Sequence, residues 1–158
     1  MNQTLNNPKA KGLVTEQPLE NYFELTKSEE LAKLVVAIRF EQDHGKRREL
    51  KANLPIRCPH YFRFKDNHRS QPNIIPEAFT FQTCVDIDNK EQVEGALERA
   101  YLINSEEGQW KDMLLHAEYS ASGKLHLDIR IPVGMTIKEA QTAYCKALDI
   151  DFDEDCCT

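Results

Sequence analysis

Two carboxylates one residue apart, Asp86 and Asp88, end the segment FTFQTCVDID over residues 79–88. Acidic side chains are disfavoured inside strands, so Asp86 at a mid-strand position needs a reason. Carboxylates leaving one side of a strand can hold a hard divalent cation, Mg²⁺ or Mn²⁺, which in turn holds nucleotide phosphates. The competing reading is structural: Asp88 or Asn89 caps the next helix, with Glu91 or Gln92 completing the box. Capping leaves Asp86 unexplained. His126 is the second candidate, following the small-residue turn Ala121-Ser122-Gly123-Lys124. Small residues let backbone N–H groups approach an anion, and an imidazole can donate to a phosphate oxygen. A lone strand histidine equally suits a plain surface. Arg130, on the same face, is placed to neutralise a triphosphate. His116 has no such context and reads as structural. The C-terminal run ALDIDFDEDCCT gathers Asp149, Asp151, Asp153, Glu154 and Asp155. Such a run is ordinarily a solvated tail, yet Ile150 and Phe152 alternate with the acids as in a strand carrying a third metal ligand.

These residues need a scaffold to bring them together. Alternation places Phe79, Phe81, Val85 and Ile87 on one strand face, and Thr80, Gln82, Cys84, Asp86 and Asp88 on the other. Val93, Ala96, Leu97, Ala100 and Tyr101 stripe a helix over about 90–103. A strand fits 113–120, and another fits 125–131, with Leu125, Leu127, Ile129 and Ile131 inward and His126, Asp128 and Arg130 outward. Thr136 with Glu139 forms a capping box for a helix reaching about 148. The order is β-α-β-β-α, an α+β core whose helices are expected on the apolar side. Upstream, Thr26 with Glu29 reads as a capping box for a helix over 27–42, ended by Gly45. A basic helix or turn runs to Asn53, 60–65 reads as a strand, and 66–78, with Pro72 and Pro76, as a loop. Residues 1–25 show no period and read as a loosely held arm, leaving one domain over 26–158.

Composition sets limits. The 158 residues, 41% hydrophobic and 29% charged, suit one core and an ordinary surface. No run approaches the ~20 apolar residues of a membrane helix, and the polar start lacks a signal-peptide core, so a cytoplasmic protein is expected. Five cysteines without CxxC spacing argue against a disulfide framework or zinc ribbon. The net charge of −6 hides a basic segment over 46–69, with eight basic residues against two acidic ones. Its interleaved Tyr61, Phe62 and Phe64 suit a phosphate backbone and stacked bases, although a solvated basic loop has the same composition.

In combination these motifs resemble archaeo-eukaryotic-type primases and primase-polymerases. VDID is similar to their hhhDhD motif, SASGKLH to their Ser/Gly turn ending in His, and FDED or DIDF to their third, Asp-bearing motif. KRRELKANLP resembles a Lys-x-x-Leu-Pro element ahead of that core. Over roughly 45–158 the chain looks most like the N-terminal domain of VirE-type proteins of bacterial mobile elements, which often precedes a helicase-like ATPase domain. The resemblance implies an RRM-like catalytic core with an N-terminal helical extension. It implies Mg²⁺ or Mn²⁺ ligation by Asp86, Asp88 and Asp153 (Asp151 in a shifted register), and triphosphate contact by Ser120 or Ser122 with His126 and Arg130. Lys46, Arg47, Arg48 and Lys51 would meet single-stranded or primed DNA. The expected activity is metal-dependent nucleotidyl transfer in replication of a mobile element. The alternative is a non-catalytic nucleic-acid-binding module on the same fold; a DxD sugar-nucleotide transferase is disfavoured because it needs a longer sheet. Family members continue past the third motif with an Arg and a further strand, so the closing strand is expected to be missing and the domain truncated and incomplete as a catalyst.

Overall fold

The computed structural model describes residues 2–6 and 13–150. It is mixed helix and strand, and it divides into two compact units, Met1–Thr80 and Phe81–Thr158. The boundary between the two units falls at the entry to the carboxylate-bearing strand. Among the described residues no helix is long and apolar enough to cross a membrane.

In the first unit, β1 (Asn2–Asn6) pairs antiparallel with β2 (Val14–Pro18) and with β3 (Arg57–Cys58), in the order β2-β1-β3. Helices α1 (Leu19–Thr26), α2 (Glu29–Phe40) and α3 (His44–Lys51) follow β2. The expected arm over 1–25 is therefore corrected to two strands and a helix. Leu5 and Val14 are buried anchors, and one apolar anchor per short strand leaves no period to read. The expected box at Thr26 is also displaced. The Thr26 hydroxyl donates to the Phe23 carbonyl at 2.8 Å, closing α1, and Ser28 caps α2 by accepting the Leu31 N–H at 3.2 Å. Gly45 breaks nothing: it lies in the first turn of α3, which Asp43 caps through the Lys46 N–H at 2.8 Å. The strand expected over 60–65 shrinks to single bridges, Tyr61 with Phe79 and Phe64 with Ile74. Asp66 and Asn67 take left-handed backbone (φ 53° and 52°) and turn the chain back before a ladder can extend.

The second unit holds β4 (Gln82–Ile87), α4 (Lys90–Ser105), β5 (Leu114–Tyr119), β6 (Leu125–Arg130) and α5 (Ile137–Ala147). The β-α-β-β-α order is as expected. The three strands are antiparallel in the order β4-β6-β5, so β6 is central. Val85, Leu125, Leu127 and Ile129 join Val93, Ala96 and Ala100 of α4 and Tyr144 and Leu148 of the α5 end in one buried core. Trp110 meets Tyr144 edge to face at 4.9 Å.

Local chemistry sets the ends of these elements. Asn89, not Asp88, caps α4, accepting the Glu91 N–H at 3.0 Å. The Thr136–Glu139 capping box of α5 is present. Past α5, Ile150 N–H reaches the Cys145 carbonyl at 3.0 Å and Asp149 N–H the Lys146 carbonyl at 3.1 Å. With Asp149 left-handed (φ 51°) this is a Schellman closure. Two face assignments need correction. Phe81 takes φ 57° and is exposed, because the chain turns into β4 there and breaks the alternation. Tyr101, expected in the apolar stripe, is exposed as well. Gly95, at φ 79°, interrupts α4, while Val93, Ala96, Leu97 and Ala100 keep to the core side.

Candidate functional site

Strand register brings the candidate residues together. Asp86 of β4 is the direct cross-strand partner of His126 on β6, and His126 is in turn opposite Glu118 on β5. The three form one row across the sheet, on the side away from Val85, Leu127 and Ala117, because neighbours along a strand alternate faces. A second row, Cys84, Asp128 and His116, lies beside it. The His126 ring stands between two carboxylates, with Nε2 at 3.7 Å from Asp86 Oδ1 and Nδ1 at 3.5 Å from Glu118 Oε1. Glu118 Oε2 also meets His116 Nε2 at 3.1 Å, and Cys84 Sγ meets Asp86 Oδ1 at 3.3 Å. Burial disfavours charge on the His126 ring. The hydrogen bond to Glu118 and the charges of Asp86, Glu118 and Asp128 outweigh it, so the pKa lies above the ordinary 6.5.

The remaining expected residues distribute differently. Asp88 lies just past the end of β4 and forms an ion pair with Lys124. The Ser120 hydroxyl accepts the Lys124 N–H at 3.1 Å, and the Ser120 N–H donates to the Lys124 carbonyl at 2.8 Å. Ser120 therefore closes the β5–β6 hairpin, while Ser122 sits half-buried in its turn with Gly123 at φ 80°. Arg130 shares the face of His126 but is four residues along the strand, roughly 13 Å away. In the first unit Lys46 and Arg48 are exposed on α3 and Lys51 is half-buried. Arg47 is committed to its own fold, its guanidinium donating to the Glu41 carbonyl, from Nε at 2.9 Å. Asp153 and its alternative Asp151 lie outside the described residues.

Glu118, His116 and Asp128 had not been identified as site residues from the sequence. A signal was present. Gly123 supplies the left-handed residue of a three-residue hairpin turn, which fixes Ser120 opposite Lys124 and therefore Glu118 opposite His126. The register shift between Leu114 and His116 hid the alternation that would have marked His116 and Glu118 as facing the site.

The donor set is hard and oxygen-rich, as Mg²⁺ or Mn²⁺ requires. Among the described residues, however, no group of three or more His, Cys, Asp and Glu side chains is arranged to hold a metal ion. Asp86 is turned to His126 and Asp88 to Lys124, so the pair fits a cation in chemical type but does not by itself form a centre. What the row does provide is an orientable imidazole, half-buried between two carboxylates. No protein-family model, curated protein or solved structure matches the chain.

Proposed function

We propose that the second unit is the nucleotide-handling core of a primase-polymerase-like nucleotidyltransferase domain, acting in DNA replication of a mobile element. The observation that carries this reading is the direct cross-strand pairing of Asp86 with His126. The sequence separates them by forty residues of helix, strand and turn, yet they meet in one row. A β-α-β-β-α unit with its third strand central supports an RRM-like core.

On this reading Asp86 and Asp88, together with Asp153, would hold Mg²⁺ or Mn²⁺, and the cation would supply neutralisation of the triphosphate and acidification of an attacking hydroxyl. His126, when charged, donates its Nε2–H to a phosphate oxygen. The distance of 3.7 Å from Nε2 to Asp86 exceeds a hydrogen bond, so that donor is uncommitted to Asp86. Lys124, paired with Asp88 in this structure, would become available to a phosphate if that carboxylate held a cation. Lys46, Arg48 and Lys51 would contact the backbone of single-stranded or primed DNA. A downstream helicase-like ATPase domain belongs to the same proposal.

The test is Mn²⁺ relaxation on wild type and Asp86→Asn. The expected result is line broadening centred on residues 86–88 and 126 in wild type, lost in the variant. Equal broadening in both proteins overturns the reading.

A second reading is favoured by the Lys124–Asp88 ion pair, which occupies one of the two carboxylates. It is a non-catalytic nucleic-acid-binding module on the same fold. Asp88→Ala separates the two: it leaves DNA affinity intact if the unit only binds, and weakens nucleotide binding if it handles nucleotides.

A further inference from the structure

The row that joins Asp86 to His126 continues to a residue with no role in the reading above. Glu118 is the other cross-strand neighbour of His126, and it treats the ring differently from Asp86. Its Oε1 is the closer acceptor, 3.5 Å from Nδ1, whereas Asp86 Oδ1 is 3.7 Å from Nε2. Its other oxygen is braced from its own strand by His116 Nε2 at 3.1 Å. Both histidines and the carboxylate are less than a third exposed, so the contacts are sheltered from competing water. The opposition of Glu118 and His126 is not adjustable by sliding, because the Ser120–Lys124 closure and the left-handed Gly123 fix the hairpin register.

We propose that Glu118 is the positioning residue of this site: it accepts the Nδ1–H of His126 and so holds Nε2 of the same ring toward Asp86. A ring nitrogen is protonated or bare according to the bond its partner nitrogen makes. With Nδ1–H taken by Glu118, Nε2 is a lone pair in the neutral ring and an N–H in the charged one. In either state it points at the position where a phosphate would lie beside Asp86. His116 acts one step further out, fixing the carboxylate that fixes the ring. The ligand in this proposal rests on the nucleotide reading; the orientation of the ring does not.

The experiment uses the full 158-residue chain, ¹⁵N-labelled, as wild type, Glu118→Ala and Glu118→Gln. Long-range ¹H–¹⁵N correlations of the imidazole, at a pH where the ring is neutral, report which nitrogen carries the proton. Titration with magnesium–dATP, at a lower pH where the ring is charged and Nε2 carries a proton, reports the ligand. In wild type the proton should sit on Nδ1. Glu118→Ala should move it to Nε2 and weaken magnesium–dATP binding roughly tenfold, the size expected for losing a residue that orients a ligand-contacting histidine. Glu118→Gln, whose amide oxygen can still accept Nδ1–H, should keep the wild-type tautomer and most of the affinity. A proton on Nε2 in wild type, or an unchanged tautomer in Glu118→Ala, overturns the proposal. If the tautomer moves as expected but wild type has no affinity for magnesium–dATP, the positioning role stands and the nucleotide reading falls.

Discussion

The two three-stranded sheets of this chain differ in what holds them. The sheet β4-β6-β5 has a core in which Leu125, Leu127, Ile129, Tyr144 and Leu148 are fully buried. In the first unit, the cluster that includes strands β2 and β3 consists of Val14, Cys58 and Phe64, with Tyr61 and Ile74 against it. The charged groups follow this difference. In the second unit Asp86 and His126 alternate along their strands with buried residues, so packing on one face fixes their direction on the other. In the first unit the basic residues of α3 stand on an eight-residue helix with no buried side chain. An oriented site needs a packed core behind it, whereas a charged surface does not. Under the proposed function the acid–histidine row would carry the chemistry, and the basic segment would supply non-specific phosphate attraction.

The largest effect that tests this contrast is a core truncation. Leu127→Ala, at a fully buried position on the central strand, should cost about 2–5 kcal/mol by denaturant unfolding. Val14→Ala in the first unit removes about two methylene equivalents and should cost about 1.5 kcal/mol. Equal costs would break the comparison.

Next in size is Tyr144→Phe. The Tyr144 hydroxyl is buried without a hydrogen-bond partner among the described residues, and burial pushes its pKa up, beyond the reach of ordinary titration. Its removal should stabilise the second unit by about 1 kcal/mol. A loss of stability would reveal a partner for that hydroxyl. Asp149→Gly should stabilise by about 0.5–1 kcal/mol, because the left-handed position after α5 favours glycine. Thermal unfolding of both variants checks this.

Much of the second unit was legible in the sequence, and the reasons are specific. Leu125, Leu127 and Ile129 alternate cleanly with polar residues, and Thr136 with Glu139 three residues on marks the α5 start. Asp86 stands out as an acid at a mid-strand position, and His126 because it follows the small-residue turn Ala121-Ser122-Gly123-Lys124. Glu118 and His116 were missed because a register shift breaks the period of β5 and because cross-strand partners are distant in sequence. The strands of the first unit were missed because each has one anchor, Leu5 or Val14, and a period needs at least two. The third carboxylate, expected at Asp153 or Asp151, falls outside the described residues.

The smallest predicted effect is electrostatic. His126 titrates above its ordinary 6.5 in the folded chain. Its stabilising contribution is then fully present below about pH 6.5 and is lost as the pH rises through the folded value. Asp86, Glu118 and Asp128 are the groups that face it. Stability measured across neutrality should decline modestly in wild type, and the part due to this ring should vanish in His126→Ala. A decline of the same size in the variant would assign it to other groups.

The central claim is that Asp86 and His126 act on one nucleotide as a unit. The most direct measurement is the affinity for magnesium–dATP across a cycle of wild type, Asp86→Asn, His126→Ala and the double variant, each checked for folding by circular dichroism. The account predicts that each single change weakens binding roughly tenfold or more, and that the double variant loses little beyond either one, since groups that act together are not additive. Two independent losses that simply add, or affinities equal to wild type throughout, would contradict it.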